Sequence, residues 1–140
     1  MRGKIVLTIT ILTLGIIVLT YFYVFKDTET DISEEKAEHK LSAIELFYKF
    51  EDDENQANKL YLGKIIEITG TIVSIQETGN KELMLIFKEK SEVFGVSCTL
   101  EGIELNRKLI ENGKNVTLKG VCQGYLSDVI LTNCVIIEPS

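Results

Sequence analysis

From Gly63 onward, β-branched and apolar residues alternate with polar ones in five runs, and this period of two confines the region to sheet. The runs are Lys64–Gln76, Glu82–Lys88, Val93–Leu100, Asn115–Leu126 and Val129–Ile137. Between the third and fourth the pattern switches: over Glu101–Asn112, Ile103, Leu105, Leu109 and Ile110 fall roughly on one helical face, and Gly113 supplies a C-terminal stop. Gly79-Asn80 predicts the turn of the first hairpin. Gly70, midway along a long first strand, predicts a bulge or sharp bend, which lets one strand serve both halves of a curled sheet. Three strands, a helix and two strands form the plan of a five-stranded OB-fold, a mostly β Greek-key barrel.

Two short amphipathic helices precede the sheet. Leu41, Ile44, Phe47, Tyr48 and Phe50 recur at helical spacing, and Ala57, Leu60 and Tyr61 do so after an acidic break. Asp53 followed by Gln56 predicts a capping box at the start of the second helix. The acidic run Glu51–Glu54 lacks the alternating spacing of a calcium loop, and carboxylates near a helix start are already favoured by its dipole. No metal site is therefore assigned to it. The predicted OB-fold domain with its N-terminal helices spans residues 41–140.

The N-terminal region differs sharply. Ile5–Phe25 carries no charge over a length that matches the roughly 20 residues a helix needs to cross a bilayer core. It ends in aromatic residues where a cleaved signal would end in small ones, which predicts an uncleaved signal-anchor. Residues 1–4, with Arg2 and Lys4, then form a short cytoplasmic tail, and no cysteine near the segment offers a lipidation site. The expected placement is a bacterial cell membrane, single-pass, with the C-terminal domain outside the cytoplasm. Residues 26–40 read as a charged, solvated tether in which His39, the sole histidine, is one more solvated side chain.

The stretches ENQANKLYLGKIIEITGTIVSI, VSCTL and ENGKNVTLKGVCQGYLSDVILTNC resemble the bacterial tRNA_anti-like family, exported or membrane-anchored OB-fold proteins. The likeness runs from about Leu41 to Ile137. Its most specific parts are Ala57-Asn58-Lys59-Leu60-Tyr61 leading into Gly63-Lys64, and Gly120 two residues before Cys122. The resemblance implies an OB-fold and an envelope location. Its nucleic-acid label derives from fold similarity to anticodon-binding domains.

OB-folds bind ligands mainly on the outer face of the second and third strands and on the flanking loops. Alternation directs Leu83, Leu85, Phe87, Phe94, Val96, Cys98 and Leu100 inward. The candidate binding face is therefore Lys81, Met84, Ile86, Lys88, Ser97 and Thr99, with Tyr125 from the last hairpin. Single-strand binders rely on aromatic platforms and basic grooves. Here Tyr21, Phe22, Tyr23 and Phe25 fall in the apolar run, Phe47, Tyr48, Phe50 and Tyr61 on the helices, and Phe87 and Phe94 in the predicted core. Residues 27–140 carry 12 basic against 21 acidic side chains, a net of −9. These features favour a protein or envelope partner over nucleic acid, which stays as the alternative. Met84 and Ile86 are expected to lie under either the N-terminal helices or a partner.

No enzyme is expected. The lone histidine lies in the tether, glycine-rich phosphate loops are absent and the carboxylates are scattered, so neither a triad nor a cofactor cradle suggests itself. Cys98, Cys122 and Cys134 lack a histidine partner or C-x-x-C spacing, which argues against zinc, and strand cysteines facing inward are inert. With Ser127-Asp128 as a two-residue turn, Cys122 falls one residue short of Cys134. A bulge at Gly124 is expected to bring the two together as a disulfide worth about 3 kcal/mol, with Cys98 the rival partner or a core thiol. Asn115-Val116-Thr117 is read as a chance sequon.

Overall fold

The computed structural model describes residues 1–24, 32–79, 82–101 and 110–139, apart from the side chains of 2–9, 22–24, 138 and 139. A helix, α1 (Arg2–Val24), is followed by β1 (His39–Ser42), α2 (Ala43–Asp52), α3 (Glu54–Tyr61), β2 (Ile65–Thr71), β3 (Ser74–Thr78), β4 (Glu82–Phe87), β5 (Val96–Leu100), β6 (Asn115–Tyr125) and β7 (Val129–Pro139). Of the helix predicted over Glu101–Asn112, residues 102–109 lie outside the described residues, and Glu101 and 110–112 are not helical; Asn80 of the predicted turn and Phe25 of the apolar run also lie outside the described residues.

Among the described residues, seven strands form one open sheet in the order β1-β2-β6-β7-β5-β4-β3. The expected five-stranded Greek-key barrel is corrected in three respects. The long first strand divides into β2 and β3. The break comes at Ile72-Val73 and not at Gly70: Ile72 N–H donates to Lys114 O at 2.9 Å, and the next amide, Val73 N–H, donates to Ile86 O at 2.8 Å. The chain thus leaves a ladder with β6 and joins one with β4 within two residues. Covalent continuity, rather than a hydrogen-bonded ladder, links the two ends of the curled sheet. Gly70 is required for another reason, since a Cβ there would lie 2.9 Å from Phe87 Cδ1 and 3.1 Å from Ala43 Cβ. It marks a close approach of strand, helix and core ring.

The third correction is β1, which runs parallel to β2 with His39 opposite Ile66 and Ser42 opposite Thr69. Residues 32–40 therefore include docked chain where a solvated tether was expected. Ile32 and Ala37 are buried, and Lys119 Nζ donates to Ser33 O and Glu35 O at 3.1 and 2.9 Å. His39 packs edge-on against Tyr61 with ring centroids 5.0 Å apart, and Lys40 pairs with Glu67 across the strands at 2.9 Å. Strand alternation hides well in a segment so rich in charge, because the paired backbone supplies the stability and the long side chains stay wet.

Both caps form as physical chemistry requires. Ser42 accepts a hydrogen bond from Glu45 N–H at 3.1 Å to start α2, and Asp53 accepts one from Gln56 N–H at 3.0 Å to start α3. Ala43, Leu46, Phe47 and Phe50 are the buried stripe of α2, at the i, i+3, i+4, i+7 spacing of a core-facing helix. α2 packs on β1, β2, β5 and β7, and α3 on β6. The two helices plug one end of the curled sheet. Phe50 stacks on Tyr125 at 5.9 Å and meets Tyr61 at 6.0 Å, completing that plug with aromatic surface.

α1 covers all but the last residue of the apolar run. Its described side chains, Thr10–Tyr21, are exposed, with Leu12, Leu14, Ile17 and Leu19 more than half so. Among the described residues no helix is long and apolar enough to cross a membrane.

Candidate binding surfaces

The strands expected to carry ligand present two well-separated faces. In β4 and β5, Leu83, Leu85, Phe87, Val96, Cys98 and Leu100 are buried, and the residues between them are half-buried. Register sets two rows across the outer face. Gln76, Met84 and Thr99 form one, and Ser74, Ile86 and Ser97 the other. These two rows are uncharged, and a third row at the far end pairs Thr78 with Glu82, whose carboxylate accepts a hydrogen bond from Thr78 Oγ1 at 3.3 Å. The helices make their main contacts elsewhere, so Met84 and Ile86 are sheltered chiefly by neighbouring strands.

The remaining candidates do not join it as one surface. Lys81 lies outside the described residues. Lys88 follows the end of β4 and sends its ammonium to Val93 O at 3.4 Å. Tyr125 turns toward α2, where its ring meets Phe47 at 6.2 Å as well as Phe50. Phe94 is corrected from core to surface: β5 begins only at Val96, and Phe94 is 46% exposed. Gly95 precedes that start and lies close against β4, since a Cβ there would come within 2.0 Å of Phe87 O.

A second surface gathers at the plugged end, where β5 and β7 begin side by side in parallel. Gly95 N–H donates to Asp128 Oδ1 at 2.7 Å, and Val129 N–H donates to Gly95 O at 2.9 Å. These bonds tie the β4–β5 loop to the β6–β7 turn. Val93 (74% exposed), Phe94 and Leu126 (83% exposed) stand on the joined loops. Carboxylates surround them. Tyr48 donates to Glu89 Oε2 at 3.4 Å, and partial burial, with Glu89, Glu92 and Glu51 nearby, raises its pKa. Burial, then Glu51, Glu54 and Asp128, raise that of Tyr125. Sequence reading missed this surface, although the parallel start of the third and fifth strands of an OB-fold brings these two loops to one end.

A cleft of about 340 Å³ opens between the start of α2, β2 and the end of β4, lined by Ser42, Gly70, Thr71, Phe87, Lys88 and Asn115. Its rim is hydroxyl and amide with a single ammonium.

The three thiols are free and buried, so the expected Cys122–Cys134 bridge is corrected. A bulge does occur between Cys122 and Gly124, but the turn has three residues and Tyr125 faces Val129. An extra residue on β6 moves the partner of Cys122 toward the turn, to Leu131, and away from Cys134. A second irregularity at Asn133, with φ of 52°, then sets Cys134 over Gly120 and opposite Leu100. Cys134 hydrogen-bonds with Cys98, and burial foremost, then that bond, pushes the Cys98 thiol well above the ordinary range. Burial also raises Cys122, partly offset by a hydrogen bond from Gly124 N–H. Such thiols are poor nucleophiles. Among the described residues no cluster of histidine, cysteine and carboxylates could hold a metal ion.

The model of the family described as tRNA_anti-like matches residues 1–136. Among solved structures, the chain is similar to a protein of Klebsiella pneumoniae described as a "putative nucleic acid-binding lipoprotein". The two are 17% identical with a TM-score of 0.60, over 71% of this chain and 91% of that one, a likeness that shows the fold alone. The chain is also similar to part of Entamoeba histolytica asparaginyl-tRNA synthetase in complex with asparaginyl-adenylate, at 16% identity and a TM-score of 0.41 over 56% of this chain and 21% of the synthetase. No curated protein matches it.

Proposed function

The chain belongs to the tRNA_anti-like family of OB-fold proteins, and we propose that it is a membrane-anchored binding module outside the cytoplasm, which holds a protein or envelope component and performs no chemistry. The observation that carries the binding reading is the outer face of β3–β5. The six residues of its two central rows bear neither a cation to release counterions nor a ring on which a base could stack, and Glu82 at its end adds a carboxylate. Carboxylates at the loop end add repulsion toward a polyanion.

The anchor reading rests on α1 taken as a whole. Its 23 residues would measure about 34 Å, and beyond Lys4 it carries no charge. Its threonines suit hydrocarbon, since Thr13 Oγ1 donates to Thr10 O and Thr20 Oγ1 to Ile16 O. The Klebsiella protein is described as a lipoprotein, which agrees with an envelope location. Its description also motivates the second reading, nucleic-acid binding.

Amide-resolved NMR of the full chain in nanodiscs, titrated with short single-stranded DNA and RNA, separates the two. The expected result is no shift at Met84, Ile86, Ser97, Thr99 or Tyr125 even at low salt. Shifts at those residues that fade with added salt would overturn the proposal in favour of nucleic acid.

A further inference from the structure

We infer that the joined tips of the β4–β5 loop and the β6–β7 turn form a docking surface for a cationic segment of a partner protein that also carries large apolar side chains. The inference deepens the protein-partner reading above and rests on it.

Exposed loop residues are commonly polar, yet this end presents Val93, Phe94 and Leu126 together. An aggregation of apolar side chains with a polar rim is the usual composition of an interface centre. The backbone beneath is fixed, because Gly95 bonds both Asp128 and Val129 and the Tyr125 ring packs on Phe47 and Phe50 of α2. Binding would therefore order little that is not already ordered, which keeps the entropic cost low.

The rim selects the occupant. Glu89 is held by Tyr48, Glu92 precedes Val93 in the loop, Asp128 follows Leu126 in the turn, and Glu51 lies one turn beyond Tyr48 on α2. Against them stand Lys90, in the same loop, and Lys88, whose ammonium is engaged by Val93 O. The balance is acidic around an apolar centre. A lysine- or arginine-bearing segment that places an aromatic or aliphatic residue between Phe94 and Leu126 satisfies both, whereas an anionic lipid surface or a polyanion is repelled. Electrostatic complementarity of this sort governs orientation and association rate more than final affinity.

The probe is an amphipathic lysine–leucine peptide added to the full chain in phosphatidylcholine nanodiscs, read by fluorescence anisotropy at low and physiological salt. Leu126→Ser and Phe94→Ser, at exposed positions that folding tolerates, should each weaken binding about tenfold. Glu89→Gln with Glu92→Gln should remove most of the salt dependence, and Val73→Ser, exposed elsewhere on the sheet, should change nothing. Absent binding, equal binding by all variants, or a tighter association with phosphatidylserine vesicles or with a second copy of the chain at this surface would each overturn the inference. An oligonucleotide added in parallel distinguishes the two failures. If neither peptide nor oligonucleotide binds, the docking surface is wrong and the protein-partner reading stands; oligonucleotide binding sinks that reading itself.

Discussion

Replacing Gly120 with alanine introduces a methyl group into space that the Cys134 thiol already fills. A Cβ at this position lies 2.6 Å from Cys134 Sγ and 3.0 Å from Leu131 Cβ. Unbonded carbon atoms rest about 3.5–4.0 Å apart and sulfur is larger, so the overlap with the thiol is about 1 Å. Forcing a methyl group into a packed core costs about 1–3 kcal/mol. Gly120 lies outside the left-handed region, so alanine also restricts the unfolded chain and returns about 0.4–1 kcal/mol. The net expectation is a loss of about 1–2 kcal/mol. The decisive comparison is the same substitution in a Cys134→Ala background, where the nearest obstacle is gone and only Leu131 still crowds the site. Gly120→Ala should then cost about 1 kcal/mol less, a coupling expected of residues in direct contact. Urea unfolding of the full chain in micelles gives both values, provided the slope m stays constant so that midpoints report stability. Equal costs in the two backgrounds, within about 0.3–0.5 kcal/mol, would refute the register that sets Cys134 over Gly120.

Three further outcomes follow from the same geometry. Asp53→Ala removes the acceptor for Gln56 N–H and should cost about 1 kcal/mol, measured by the same unfolding experiment; no loss would mean that α3 is capped some other way. Lys119→Met releases the carbonyls of Ser33 and Glu35, so a glutamate-specific protease should cut at Glu34 and Glu35 faster while the global unfolding midpoint moves little; an unchanged cleavage rate would count against docking of this segment. Because burial and the bond with Cys134 hold the folded Cys98 thiol well above its ordinary pKa, the unfolded chain binds fewer protons once pH exceeds about 8.5, and stability should fall from there toward the folded pKa. Cys98→Ala should lessen that decline and leave the slope contributed by Cys122 and, at higher pH, by Tyr48 and Tyr125, whereas an unaltered slope would show that Cys98 is not a group responsible.

The strands that carry the core were legible because alternation of buried and half-buried positions in β4 and β5 is a direct consequence of the pleat. Where reading by period failed, backbone crowding was the cause. Phe94 continues the alternation of β5 in sequence, but the strand begins only at Val96, after a glycine whose missing Cβ lets the chain close on Phe87 O. Gly70 was recognised as special for the wrong reason, since sequence does not distinguish a bend from a close approach of Phe87 and Ala43. β1 was invisible because its stability comes from pairing with β2, a partner about 27 residues away along the chain with no local pattern. Of the candidate site, Met84, Ile86, Ser97 and Thr99 do share a face. Tyr125 does not, because the chain direction near a bulge redirects its ring into the aromatic plug. The thiol pairing was beyond reach for the same reason: two irregularities on opposite strands alter register in opposite senses, and only one is flagged by a glycine.

The docking of β1 also decides what this border of the sheet offers to other chains. β1 pairs with β2 along His39–Ser42 and stands outermost in the strand order, so the edge of β2 that would otherwise present unpaired N–H and C=O groups is covered along those four residues. What remains outermost is a strand of only four residues that carries His39 and Lys40, and an edge that short and charged resists the strand-to-strand pairing by which sheets aggregate.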